Sequence, residues 1–89
     1  MKKRRDLERI VKGFANHRRI EILQLLEQRP ELSLNEITEV LGVNFRTSSE
    51  HIRRLSYAGL VMKRNEGNAV RHAVTARGIA ILKFLRTLE

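Results

Sequence analysis

Apolar positions along the chain recur at helical spacing in five separate stretches. Leu7, Ile10, Val11 and Phe14 form the first, with Gly13 near its end. Ile20, Ile22, Leu23, Leu25 and Leu26 form the second, which Asn16 can cap and Pro30 stops. Ser33 followed by Glu36 is a capping box, in which each side chain satisfies the other residue's free backbone amide. It opens a short third helix whose inward residues are expected to be Leu34, Ile37, Val40 and Leu41. Gly42 supplies a tight turn, Asn44 caps a fourth helix running to about Ala58, and Gly59 ends it. The pattern then changes period. Leu60–Arg64 and Ala69–Val74 are β-prone, and residues 65–68 between them (Asn-Glu-Gly-Asn) signal a hairpin. Residues near Leu32 are free to pair as a third short strand. Thr75 caps a last helix to the C-terminus.

The predicted fold class is therefore mainly α with a small β-hairpin, in the order α-α-α-α-β-β-α, and residues 1–89 read as one domain. Two helices joined by a short Gly-containing turn make a helix-turn-helix, and a hairpin directly after the second helix is a wing.

Charge sharpens this picture because of its distribution. The formal net charge is +8, but residues 10–43 sum to −1 while residues 44–74 sum to +4 and residues 1–9 to +3. A basic block over the fourth helix and hairpin suits a polyanion, which it attracts by releasing condensed counterions. The Lys2-Lys3-Arg4-Arg5 run reads equally as an arm on phosphates or as a solubilising terminus. No basic helix carries bulky aromatic anchors, so a membrane surface is not the expected partner. No apolar run approaches the roughly 18–20 residues of a membrane span, and a cytoplasmic location is the expectation.

The ordered pieces Asn16-His17-Arg18-Arg19-Ile20, Leu34-x-x-Ile37-x-x-Val40-Leu41-Gly42, Thr47, His51, Ile52, Leu55, Ala58-Gly59-Leu60-Val61 and Arg64-x-Glu66-Gly67 resemble the ArsR-like winged-helix regulators over residues 14–78, especially archaeal members. The resemblance implies a homodimeric transcriptional regulator, most often a repressor, whose partners are double-stranded DNA and a second copy of itself. It also places the first and last helices at the two-fold interface.

On a helical wheel from Phe45, Ser48, Ile52 and Leu55 turn toward the core, with Phe45 as a partly buried packing residue. Arg46, Ser49, Glu50, Arg53, Arg54 and Tyr57 occupy the opposite arc. Residues near a recognition helix's N-terminus reach base edges, which makes Arg46, Ser49 and Glu50 the base-reading candidates, with Arg53 intermediate. Arg46 can fork onto guanine and Glu50 can accept from cytosine. Glu50 can equally hold Arg46 or Arg54 at helical spacing. By resemblance, Thr47 and His51 touch phosphates. On the wing, Lys63, Arg64 and Arg71 on the arms, with Asn65 and Asn68 at the tip, are the candidate DNA contacts. The same charges also protect an exposed hairpin edge from aggregation.

In the last helix Ala80, Ile81, Leu82, Phe84, Leu85 and Leu88 spread over about 200° of arc, more than one core can cover. With the interface that the resemblance implies, Leu7, Ile81, Phe84, Leu85 and Leu88 are the expected dimer contacts.

Many ArsR-like proteins sense metals through cysteines in the third helix or through a Asp/His/Glu set on the last. This chain has no cysteine, reads Leu32-Ser33-Leu34-Asn35-Glu36 at the first place, and carries only Glu89 at the second. His17, His51 and His72 lie on different elements without ligand spacing. No metal or cofactor is expected, and no phosphate loop, HExxH or nucleophile-elbow pattern points to an enzyme. Two other readings compete, a winged helix used as a protein-interaction module and a structured-RNA binder. The basic block disfavours the first. An aromatic content of 4% disfavours the second, since RNA recognition leans on stacking.

Overall fold

The computed structural model describes residues 2–89. Its elements are α1 (Arg4–Phe14), α2 (His17–Gln28), α3 (Leu34–Leu41), α4 (Phe45–Tyr57), β1 (Val61–Glu66), β2 (Ala69–Val74) and α5 (Ala76–Arg86). The caps lie where polar side chains can reach free amides. The Asn16 Oδ1 accepts from the Arg18 and Arg19 amides at 2.9 and 3.2 Å. The Ser33–Glu36 capping box closes in both directions, at 3.1 Å into Ser33 Oγ and 2.9 Å into Glu36 Oε1. Asn44 Oδ1 accepts from the Thr47 amide at 2.8 Å. Thr75 Oγ1 accepts from the Gly78 amide at 3.1 Å and donates to the Gly59 carbonyl at 2.6 Å, so one hydroxyl ties the start of α5 to the end of α4.

The core forms where the inner faces of these helices meet. Ile22, Leu23 and Leu26 of α2 pack with Ile37 and Leu41 of α3, Ile52 and Leu55 of α4, Leu60 and Val61 below the hairpin, and Leu82 of α5. Val40 does not join them and is 47% exposed. Leu34, Ile37 and Leu41 already fill about 60° of the α3 surface, and Val40 falls about 60° beyond Ile37 on the far side, past the edge of the buried stripe.

The hairpin is tighter than the sequence suggested. Pairing runs from Val61↔Val74 out to Glu66↔Ala69, leaving a two-residue turn of Gly67 and Asn68. Gly67 has φ of +60° while Asn68 does not take positive φ, the pattern of a type II′ turn with glycine first. Asn65 is therefore not at the tip; it sits in β1 opposite Val70. The expected third strand is a single bridge, Leu32 to His72, where the His72 amide donates to the Leu32 carbonyl and the Glu31 amide to the His72 carbonyl, both at 2.9 Å. The buried His72 ring completes it through Nδ1, 2.9 Å from the Leu32 carbonyl.

Candidate nucleic-acid interface

The turn between α3 and α4 is short because Gly42 closes α3 in the left-handed conformation, with φ of +68°, and Asn44 caps α4 two residues later. With Ser48, Ile52 and Leu55 buried, the opposite arc of α4 is fixed toward solvent. Arg46 stands exposed in the first turn and makes no ion pair among the described residues. Ser49 lies one turn further on, partly exposed, and Thr47 is likewise partly exposed.

Glu50 is occupied. Arg53 Nη2 reaches its Oε2 at 2.6 Å and Arg54 Nε its Oε1 at 3.0 Å, and hydrogen bonds from Arg53 and then Arg54 hold its carboxyl below the usual range. Arg53 also lies over the Tyr57 ring, 5.8 Å from the centroid. The carboxylate thus faces two cations of its own helix, Arg53 and Arg54, whereas the sequence had suggested Arg46 or Arg54.

His51 turns toward α2, where Arg19 Nε donates to its Nδ1 at 3.2 Å. The neutral ring then carries its proton on Nε2. Burial, then the Arg19 charge, lowers its pKa and favours that neutral form. The same guanidinium donates through Nη1 to the Lys12 and Gly13 carbonyls at 3.0 and 3.3 Å, so Arg19 joins the end of α1 to the middle of α4.

Strand alternation divides the wing residues between two faces. Lys63, Asn65, Val70 and His72 share one face; Arg64, Glu66 and Arg71 share the other. The second face is clamped. Arg64 Nη2 meets Glu31 Oε2 at 2.7 Å and Glu66 Oε2 at 3.0 Å, while Arg71 Nη1 lies 3.5 Å from Glu36 Oε1 and 3.4 Å from the Glu31 carbonyl. Glu31 makes these contacts from a strained backbone, with φ of +72°. Lys63 has no acidic partner among the described residues. It borders a cleft of about 510 Å³ between the wing and the starts of α3 and α4, together with Asn35, Phe45, Asn68 and Val70. Phe45 is 53% exposed there instead of packed inward, because the first residue of α4 lies beyond the core's edge.

Two further outward faces are apolar. Leu7 and Val11 on α1, and Phe84 and Leu88 on and just past α5, are each at least half exposed. Ile81 and Leu85, also expected as dimer contacts, pack partly against their own chain's core, and Val11 joins the exposed set. The Val11 position was readable from its i, i+4 spacing to Leu7. The partners Glu31 and Glu36 of the wing arginines were not, being 33 and 35 residues away in sequence. Among the described residues no three His, Cys, Asp or Glu side chains cluster as metal ligands would, and no helix is long and apolar enough to cross a membrane.

A helix-turn-helix with a hairpin overhanging its second helix defines the winged helix-turn-helix class. The chain belongs to the helix-turn-helix domain family, which matches residues 14–64, and its fold is that of the ArsR-like winged helices. It is 35% identical over 77 residues to the HTH-type transcriptional regulator Rv0324 of Mycobacterium tuberculosis, an alignment covering 86% of this chain. The chain spans about a third or less of the length of the curated relatives it matches, 34% of Rv0324 and 22% of another. Among solved structures it resembles the homodimeric winged helix-turn-helix DNA-binding domain of Mb0332 from Mycobacterium bovis, described as a possible ArsR-family regulator. The TM-score is 0.79 at 32% identity, covering 93% of this chain and 76% of that one. HlyU from Vibrio cholerae matches with a TM-score of 0.82 at 30% identity, covering 99% and 97%.

Proposed function

We propose that residues 1–89 act as one winged-helix unit that binds double-stranded DNA sequence-specifically, as a homodimeric transcriptional repressor in the cytoplasm and not as an enzyme. The observation that carries this reading is Arg46, an exposed guanidinium without a carboxylate partner among the described residues, in the first turn of the helix that the wing flanks. Ser49 and Thr47 support it from the same helix, and Lys63, Asn65 and Asn68 from the wing. Arg53, Arg64 and Arg71 reach phosphates by exchanging their own carboxylates for them. His51 donates from Nε2. Selection of bound fragments from a random duplex library at two salt concentrations tests the proposal. A pseudo-palindrome with half-sites about one helical turn apart is the expected result. Uniform, salt-governed binding without enrichment overturns it.

Replacing Arg46 by Ala should weaken binding to the selected duplex by about 1–3 kcal/mol and relax preference at one base pair per half-site. Equal weakening on every sequence would make Arg46 a phosphate clamp. Affinity should stay within about twofold in the presence of chelator or added zinc. A stoichiometric metal whose removal changes affinity would overturn that expectation.

A further inference from the structure

Phe45 is the one large apolar side chain exposed on the first two turns of α4, whose other outward residues there are Arg46, Ser49 and Glu50. Leaving half a phenyl ring in water forgoes about 25 cal/mol for each Å² that a partner could cover. No described residue covers the exposed half. Val70, also exposed, borders the same cleft from the wing, beside the unpaired cation Lys63 and the Asn35 and Asn68 amides. Two exposed apolar side chains thus stand beside a cation and two amides, at the end of the recognition helix that reaches base edges. In the major groove the edges of base pairs offer a single apolar group, the thymine 5-methyl.

We propose that Phe45 is a specificity-determining residue that packs on a thymine 5-methyl group at the edge of each half-site, with Lys63 on the adjacent phosphate. The inference rests on the DNA-binding reading and adds to it a base preference set by apolar contact. It also gives a reason for choosing DNA over RNA, because uracil lacks the methyl group.

The test is a deoxyuridine scan of the selected duplex, replacing one thymine at a time and leaving Watson–Crick pairing intact. For the unmodified protein, one position per half-site should lose about fourfold in affinity, the worth of one buried methyl at about 0.8 kcal/mol. Phe45→Ala should bind thymine and uracil equally at that position and unchanged elsewhere, and Phe45→Leu should keep part of the discrimination. The exposed ring makes both variants compatible with folding, and the scan of the unmodified protein stands without them. A flat scan on a duplex that the protein still selects overturns the role of Phe45 alone. Discrimination that survives in Phe45→Ala also overturns it, assigning the methyl contact to another residue. Failure to select any duplex overturns the underlying function instead.

Discussion

Phe84→Glu should leave a folded monomer that binds the selected duplex at least about a hundredfold more weakly, because two linked half-site contacts become one. Phe84 on α5 and Leu88 just beyond it, with Leu7 and Val11 on α1, are exposed and take no part in the core, so a carboxylate at position 84 disturbs nothing inside the chain. In the proposed dimer the same carboxylate is buried without a partner, which the interface cannot tolerate. Leu85→Glu separates interface from core. Leu85 packs against the cluster around Leu82, so that variant should unfold rather than dissociate. Sedimentation and circular dichroism on both variants read the two outcomes apart. A parent protein that sediments as a monomer at micromolar concentration would end the dimer proposal.

Gly78→Ala should lower stability by about 3 kcal/mol, a drop of roughly 12–24 °C in thermal midpoint for a domain of this size. Helix propensity alone argues the other way, since alanine is favoured over glycine inside a helix by about 1 kcal/mol. The contact decides the sign. A Cβ on Gly78 would lie 2.6 Å from the Leu60 carbonyl oxygen and 2.5 Å from Val74 Cγ2. The carbonyl cannot yield, because it accepts the Thr75 amide at 3.0 Å where α5 begins. Thermal unfolding followed at 222 nm measures the loss. An unchanged or raised midpoint would mean that α5 can back away from the hairpin without penalty.

Local chemistry made the element order legible. Asn16, Ser33 with Glu36, Asn44 and Thr75 each cap the helix expected of them, since a cap involves residues two or three apart. What sequence missed depended on distance or on edges. Val40 and Phe45 lie just outside buried stripes, where a helical wheel cannot say how far the neighbouring element extends. Asn65 was misplaced because a four-residue turn and a two-residue turn are both compatible with Asn-Glu-Gly-Asn until strand register is known. Among the candidate site residues, the outward face of α4 was visible from periodicity. The occupancy of Arg64 and Arg71 was hidden, because Glu31 and Glu36 approach from before α3 and from its first turn.

Those occupied arginines change what the net charge means. Four of the five arginines on α4 and the wing already hold a carboxylate: Arg53 and Arg54 share Glu50, Arg64 takes Glu31 and Glu66, and Arg71 takes Glu36. Each pair is partly exposed and so weak enough to exchange. A displaced carboxylate, however, is tethered. It cannot diffuse away as a sodium ion leaves DNA, and it stays near the phosphate that replaced it, repelling it. In the proposed role the grip on random DNA should be less firm than a charge of +8 would imply. On a preferred sequence, contacts with bases would have to outweigh that opposition. In the proposed role the acids beside the arginines weaken right and wrong sites alike, so telling them apart falls to Arg46 and the other contacts with bases.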